Sequence, residues 1–258
     1  DHWLKGIHTG ILEEPPIKMN IIGRGYRYEK EYPLARTEWR RLYLRTFGQL
    51  RWEADPEGGL PPDSFTHRPP NVTTAVETLV YRTDRFARPM EFTGPVELHL
   101  FASIDATDAN FIVKVWQITQ GGTRMPLCRT GSLKASHRLV PGKCQVGRSV
   151  HDHTRRVPVV PGEVREYVIE VNPIGMVFDP GTCLELEIKA MDAFEHQDKT
   201  WVGKLGNMNF IPSAGTINYR IYRDRDRPSY LLLPFIPGTP GEQWLQGLEE
   251  SGGFAFRG

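Results

Sequence analysis

The chain has 258 residues, 24% of them charged and 39% hydrophobic, and a formal net charge of +1. This is the composition of an ordinary globular protein, and the near-neutral charge gives no electrostatic basis for binding nucleic acid or an anionic membrane. No apolar run approaches the roughly 18 residues needed to span a bilayer. We therefore expect neither nucleic acid nor a membrane among its partners.

The first segment carries an apolar stripe at helical spacing. Its members are Trp3, Leu4, Ile7 and Ile11. Residues three and four apart share one face of a helix, and the consecutive prolines at positions 15 and 16 end it. Nothing in the sequence before the stripe can cover it, which predicts that its packing partner lies elsewhere.

Short strands are predicted over residues 17–22, 41–44 and 78–83. Residues 23–33, rich in tyrosine and charge, are predicted as a loop. Residues 55–71 contain repeated glycine and proline pairs and are predicted as turns, although their flanks are strand-like.

The most regular stretch is residues 89–119, which predicts two long strands around a polar turn. Val96 and Leu98 alternate with Glu97 and His99 in the first strand, the period of two that a half-buried strand shows. The second strand resumes the same alternation from Phe111. We expect the two strands to pair as a hairpin and to form the spine of the domain.

Further strands follow to the end of the chain. They are predicted over residues 125–134, 164–171, 183–191, 219–222 and 230–233, with a basic loop over 139–161 and a tail over 238–258. The sequence Asp179-Pro180-Gly181 is a turn signal. About ten short strands separated by turns, without a long helix, indicate an all-β sandwich or barrel.

The acidic turn of the central stretch is the first candidate site. Asp105, Asp108 and Asn110 offer hard oxygen atoms of the kind that Ca²⁺ prefers. Their spacing does not match the known calcium loop, and Asp and Asn side chains stabilise turns without a metal. We interpret them as turn residues, with an ion site as the alternative.

Other candidate motifs are weak. His151 and His153 lie two apart and would point the same way on a strand, but no third metal ligand is evident and arginines follow them. A solvated loop is the preferred interpretation. No G-x-S-x-G, HExxH, P-loop or dinucleotide motif is present, so no catalytic residue and no cofactor are predicted.

Aromatic, sulfur and charged residues give three further expectations. Tryptophans can stack on sugar faces; the candidates are Trp39, Trp52, Trp116 and Trp201, of which Trp116 is interpreted as core.

The three cysteines are Cys128, Cys144 and Cys183. Their spacing fits neither a disulfide framework nor a zinc site, so they are predicted to be reduced and buried, which favours an intracellular, cytoplasmic location. The charge run over residues 223–227 is predicted as a solvated, self-paired loop.

Several short segments, taken in order, resemble one family. They are Asp1-His2-Trp3-Leu4-Lys5-Gly6, Arg41-Leu42-Tyr43-Leu44, Leu79-Val80-Tyr81-Arg82-Thr83, Thr93-Gly94-Pro95-Val96, the stretch 105–111, Pro161-Gly162-Glu163, Phe178-Asp179-Pro180-Gly181 and Leu233-Pro234-Phe235-Ile236-Pro237. Together they resemble the C-terminal domain of cocaine-esterase and Xaa-Pro dipeptidyl-peptidase type (CocE/NonD) hydrolases.

The resemblance implies a jelly-roll, galactose-binding-like β-sandwich over residues 15–237, preceded by a linker over 1–14 and followed by the tail. In that family the Ser-Asp-His triad lies in an upstream α/β-hydrolase domain, so this chain would carry no catalytic residue. The stripe at Trp3, Leu4, Ile7 and Ile11 would then contact that domain. Homo-oligomer contacts are a further expectation. A free-standing carbohydrate-binding module and a structural assembly domain are the alternatives.

Overall fold

A computed structural model describes residues 1–69, 72–73, 75–127, 130–191 and 213–238. Cys128, Trp201 and the tail beyond residue 238 lie outside these ranges. The described residues form one short helix, one 3-10 turn and sixteen strands, which confirms the all-β prediction. The bounds are α1 His2–Lys5, β1 Ile17–Ile21, β2 Gly25–Glu29, β3 Glu38–Arg45, the 3-10 turn Thr46–Gly48, β4 Gln49–Arg51, β5 Asp63–His67, β6 Thr78–Arg82, β7 Met90–Ile104, β8 Asn110–Ile118, β9 Arg124–Pro126, β10 Gly131–Lys134, β11 Arg138–Leu139, β12 His151–Asp152, β13 Arg165–Phe178, β14 Cys183–Lys189, β15 Ile217–Tyr222 and β16 Tyr230–Ile236.

Twelve of the strands belong to one hydrogen-bonded network that folds into the two sheets of a sandwich, and β1–β2 and β11–β12 are separate two-stranded sheets. In the first, β7 pairs with β13 along one edge, and with β16 and β15 in succession along the other; β3 and β4 follow β16, and β5 follows β15. In the second, the order is β10, β8, β14 and β6. The sheets are hydrogen-bonded to each other where Gln49 of β4 pairs with Arg82 of β6.

One continuous core lies between the sheets. Leu98 of the first sheet and Val113 of the second are fully buried in it. The ring of Phe111 in β8 contacts Tyr167 in β13 and Tyr219 in β15, with centroid separations of 4.6 and 5.5 Å. Each such buried side chain contributes about 1.5–3 kcal/mol. The alternation predicted for β7 and β8 therefore places the correct residues inside.

The central strands do not form the predicted hairpin. β7 pairs with β13, β15 and β16, whereas β8 pairs with β9, β10 and β14. The turn between them carries the chain from one sheet to the other. The prediction was wrong because period-two alternation identifies the buried face of a strand but not its hydrogen-bonded neighbour.

Two segments predicted as loop or turn contain strands. Within residues 23–33, β2 pairs with β1 from Ile17–Glu29 to Ile21–Gly25. Within residues 55–71, β5 pairs with β15 at the sheet edge. Both strands form an ion pair that includes a buried arginine: Arg27 of β2 donates to Glu91, and Asp63 of β5 accepts from Arg223. These two strands were not predicted because their sequences are rich in polar residues, which are typical of loops.

The charge run over residues 223–227 is only partly the solvated loop predicted. Arg223 is 7% exposed and its Nε and Nη2 donate to Asp63 at 2.7 and 2.8 Å. Asp224 is buried and accepts from Arg227. Arg225 and Asp226 are exposed and pair with each other, as expected. The first half of the run thus anchors β15 to β5.

The predicted N-terminal helix is one turn long. It ends at Gly6, whose φ of 66° is left-handed, a conformation that glycine adopts without steric cost. Among the described residues, no helix is long and apolar enough to cross a membrane.

Candidate functional site

The outer face of the first sheet carries a groove with mixed polar and aromatic walls. The strands place its floor residues side by side, because Tyr230 of β16 is the register partner of His99 in β7, and Leu232 is the partner of Glu97. Trp39 and Arg41 of β3 complete the row on the far side of β16. We call the space above these residues the outer groove; its volume is about 480 Å³.

The connection between β11 and β12 forms the opposite wall of the outer groove. Gly147 has φ of 76° and donates its backbone N–H to Oε2 of Glu97 at 3.2 Å. A Cβ at this position would overlap the ring of Trp39, so only glycine fits there. Val146 and Ser149 flank this contact and line the groove. The basic loop predicted from composition is therefore held against the sheet by one buried carboxylate.

His99 lies between two carboxylates. Its Nδ1 is 2.9 Å from Oε1 of Glu166, and its Nε2 is 3.8 Å from Oε2 of Glu97. Burial opposes protonation, but the hydrogen bond to Glu166 and the negative charges of Glu166 and Glu97 outweigh it and raise the pKa of His99. The same hydrogen bond lowers the pKa of Glu166. The imidazole also stacks on Tyr230, with centroids 4.5 Å apart.

Three buried polar atoms of the groove have no hydrogen-bond partner among the described residues. They are Oε1 of Glu97, Nε2 of His99 and Oγ of Ser149. Glu97 is 4% exposed and Ser149 is 7% exposed. Buried polar groups in native proteins are almost always paired, and each unpaired one costs about 1–3 kcal/mol. These atoms have almost no accessible surface, so they lie behind the surface of the groove and a molecule in the groove would not reach them in this arrangement.

The groove is arranged for binding rather than for acyl transfer. A nucleophile needs a base whose imidazole nitrogen accepts its proton. Both nitrogens of His99 instead face carboxylates, which favour the charged imidazolium. Cys144 also lines the groove, and its Sγ accepts from the backbone N–H of Val150 at 3.4 Å. Cys144 is exposed, contrary to the prediction of a buried thiol, whereas Cys183 is buried as predicted.

The acidic turn is bound to the protein itself. Oδ1 and Oδ2 of Asp105 accept from the backbone and side chain of Asn218 at 2.8 and 2.6 Å. Asp108 accepts from the backbone N–H of Ser136 and pairs with Arg156 at 2.9 Å. The backbone oxygen of Asn110 accepts from Tyr219. The turn therefore ties the crossing between the sheets to its neighbours, and the ion site stays a prediction.

The histidines of the basic loop form a cluster with a third, His137. The Nδ1 atoms of His137 and His153 are 2.9 Å apart. Burial and the charges of the other two histidines lower the pKa of His151 to about 4. Within the described residues, no group of three or more His, Cys, Asp or Glu side chains is arranged to hold a metal ion.

The tryptophans take three different environments. Trp39 lines the outer groove, and Trp52 is exposed. Trp116, predicted as core, is half-buried on the outer face of the second sheet. Its Nε1 donates to Glu187 at 3.1 Å and its ring stacks under Arg124. Counted from Phe111, the period-two alternation of β8 puts Trp116 on the face opposite the core, so the prediction that it belongs to the core was wrong.

The N-terminal apolar stripe is open to solvent in this chain. Trp3 is 78% exposed and Leu4 is 93% exposed. Ile7 and Ile11 are about half exposed, at 50% and 45%. A contiguous apolar segment of this kind marks an interaction surface.

The sequence contained one signal for the outer groove. Glu97 and His99 alternate with core residues of β7, so they share its outer face. The alternation predicts a half-buried strand, and it does not show that a segment about fifty residues later in the chain covers this outer face. The carboxylate and the imidazole lie two residues apart on the longest strand, and this spacing could have predicted that they share one face and interact.

Comparisons with known proteins agree with this fold. A family model described as the X-Pro dipeptidyl-peptidase C-terminal non-catalytic domain matches residues 9–232. The cocaine esterase of Rhodococcus sp. (strain MB1 Bresler) is 22% identical over 267 residues, which cover 92% of this chain and 44% of the esterase. A CocE/NonD family hydrolase from Staphylococcus aureus has a TM-score of 0.74 at 18% identity, covering 92% of this chain and 44% of its own. An aminopeptidase from a marine sediment thaumarchaeon has a TM-score of 0.67 at 17% identity, covering 92% and 42%. The chain spans 40% to 44% of the length of the curated relatives it matches.

Proposed function

This chain belongs to the X-Pro dipeptidyl-peptidase C-terminal non-catalytic domain family, and on that premise we propose that it is the non-catalytic β-domain of a CocE/NonD-type serine hydrolase. Its role is to pack on an α/β-hydrolase domain of the same protein. Residues 1–14 would be the link to that domain, residues 15–237 the jelly-roll sandwich and residues 238–258 a tail.

The observation that carries the proposal is the exposed apolar stripe. Trp3 and Leu4 offer large apolar side chains almost entirely to solvent, and Ile7 and Ile11 extend the same segment. Covering such surface contributes about 25 cal/mol per Å². The relatives' additional length supports a hydrolase domain as the occupant, since this chain matches less than half of each.

The parent reaction that we propose is hydrolysis of an ester or amide through a serine acyl-enzyme. Support comes from the names of the relatives, which include an esterase and an aminopeptidase. The sequence has no G-x-S-x-G motif for a serine nucleophile, so on this proposal the triad belongs to the other domain.

Hydrolysis of an activated ester tests the non-catalytic role. The 258-residue chain, assayed with p-nitrophenyl acetate, is expected to show the background rate only, before and after treatment with a serine-reactive phosphonate. Turnover that follows the protein through purification and disappears on phosphonate treatment would contradict the proposal.

The packing role is tested in the complete gene product. Leu4→Ser should lower its thermal stability and uncouple the unfolding of its domains, because the substitution places a hydroxyl in the proposed contact. Val160→Ser is the matched control, since Val160 is 63% exposed and lies outside the stripe. Equal effects of the two substitutions would argue against the contact.

A second copy of the chain is the alternative occupant of the stripe, and it corresponds to an assembly domain. Light scattering after gel filtration separates the two cases. We expect the isolated chain to be a monomer or a weak, concentration-dependent oligomer. A stable oligomer that Leu4→Ser dissociates would replace the hydrolase-domain assignment.

A further inference from the structure

We propose that residues 138–152, which comprise β11, β12 and their connection, form an acid-released cover over the outer groove. We call this segment the strap. His137, His151 and His153 lie at its base, and their protonation would free the strap from the sheet. The inference is independent of the hydrolase role, because none of these residues belongs to the N-terminal stripe.

The strap is held to the sheet at its tip and paired with itself at its base. At the tip, the backbone N–H of Gly147 donates to Oε2 of Glu97 at 3.2 Å, and Gly147 lies against the ring of Trp39. At the base, β11 and β12 pair over two residues each, with Leu139 opposite His151. A two-stranded ribbon of this length is marginally stable in water, so side-chain contacts beside its base decide whether it stays paired.

The three histidines join the two legs of the strap. Nδ1 of His137, which precedes β11, is 2.9 Å from Nδ1 of His153, which follows β12. One of these nitrogens must donate and the other accept, so the contact requires that at least one imidazole is neutral. The ring of His151 lies beside them, with its centroid 6.2 Å from that of His153. Protonation of both His137 and His153 would set two N–H donors against each other and replace the hydrogen bond by repulsion.

Burial and like charges oppose protonation while the strap is closed. The pKa of His151 is lowered to about 4 by burial first, and then by the charges of His153 and His137. Burial, His153 and Lys134 lower the pKa of His137. When the strap opens, the imidazoles reach water and return to an ordinary pKa near 6.5. The open strap therefore binds protons that the closed strap excludes, and acid favours the open form.

The other charged groups around the cluster do not reverse this direction. Those that face it come from β10, the turn after β7, β12 and β7; they are Lys134, Asp108, Asp152 and Glu97. The three carboxylates raise the histidine pKa values, but burial and the like charges outweigh them. Beneath the strap, protonation of His99 favours its hydrogen bond with Glu166. Acid therefore acts on the base of the strap and not on the sheet under it.

Release of the strap would widen the outer groove. Val146 and Ser149 of the strap form one wall of the groove. Their departure would uncover Trp39 and the apolar floor at Val168 and Leu232. The groove would then be covered at neutral pH and open in acidic surroundings, so the strap would regulate access to this face of the sheet.

Amide hydrogen exchange, resolved by NMR on the 258-residue chain, measures strap opening directly. The reporters are the N–H groups of Val140 and Gly147, which donate to Val150 and Glu97. Protection factors are compared at pH 7 and pH 5 after correction for the intrinsic exchange rate at each pH. A pKa of about 4 for His151 in the closed strap, against 6.5 in the open one, predicts that opening increases about twentyfold over this range. Protection should fall by the same factor.

Variants at the base separate the histidines from the rest of the protein. His151→Gln cannot be protonated and should remove most of the pH dependence. His153→Lys places a permanent positive charge beside His137, at an exposed position that folding does not require, and should lower protection at pH 7 already. His8→Gln is the control, because His8 is exposed and lies outside the cluster, and it should keep the wild-type pH dependence. Protection of the Leu98 amide in β7 confirms that each variant is folded.

Three results would overturn the inference. The first is protection of Val140 and Gly147 that does not change between pH 7 and pH 5 in the unmodified chain. The second is an acid-induced loss that persists in His151→Gln but disappears in Glu97→Gln, since the carboxylate would then be the titrating group. The third is an equal loss at Leu98, which would show unfolding of the sheet rather than release of the strap. Failure of the hydrolase assignment would leave these measurements unchanged.

Discussion

Arg27→Ala should be among the most destabilising single substitutions in this protein. Arg27 lies in β2 and is 4% exposed; its Nη1 and Nη2 donate to Glu91 of β7 at 3.0 and 2.6 Å. Its Nε is 2.7 Å from Glu29. The pair attaches the β1–β2 hairpin to the longest strand of the first sheet.

Removal of the guanidinium leaves the carboxylate of Glu91 buried, although it still accepts a hydrogen bond from the hydroxyl of Thr93 at 2.8 Å. Breaking a buried ion pair in this way costs about 3–5 kcal/mol. In a chain of this size each kcal/mol lowers Tm by about 2–4 °C, so we expect a decrease of about 6–20 °C. Urea denaturation at neutral pH gives the same free energy independently.

Arg68→Ala is the control, because Arg68 and Glu77 form an ion pair whose side chains are 46% and 41% exposed. Exposed pairs contribute about 1 kcal/mol or less. The double variant Arg27→Met, Glu91→Leu removes both charges and should recover most of the lost stability. Equal destabilisation by Arg27→Ala and Arg68→Ala would refute the argument that burial makes this pair costly to break.

Two further predictions concern other pairs of charged side chains. The raised pKa of His99 stabilises the fold fully below the unfolded value of 6.5, and this stabilisation is lost as pH rises through the folded pKa. The lowered pKa of Glu166 stabilises the fold fully above the unfolded value of 4.5, and this stabilisation is lost as pH falls through the folded pKa. The stability difference between wild type and Glu166→Gln should therefore be largest between pH 4.5 and 6.5, and a difference independent of pH would contradict the assigned pair. Asp63→Ala removes both hydrogen bonds of Arg223 and that of Tyr81, and should cost about 3–5 kcal/mol in urea denaturation; a cost no larger than that of the exposed Asp84→Ala would show that the cluster is not a structural anchor.

Alternation along single strands was predictable because it depends on local geometry. Successive residues of a strand point to opposite faces, so the sequence of β14 separates Leu184 and Leu186 from Glu185 and Glu187 without knowledge of its neighbours. The turn at Gly181 was predictable for the same reason, since its φ of 81° suits glycine. Short ordered motifs also identified the family, which the match over residues 9–232 confirms.

Strand partners and buried polar groups were not predictable, because they depend on residues far apart in the chain. β7 and β8 have the alternation of a hairpin, yet each pairs with strands of a different sheet. The outer groove exists because Gly147 reaches Glu97 across fifty residues of sequence.

The amino-acid sequence by itself determined that this protein is all-β, which residues of its long strands face the core, and which family it belongs to. Those properties follow from side-chain periodicity and short motifs, which are local. Only the tertiary structure decided that Arg27 and Arg223 are buried rather than solvated, and that Glu97, His99 and Ser149 share one concave space. Whether a charged residue is solvated depends on what covers it, and the covering segments come from elsewhere in the chain.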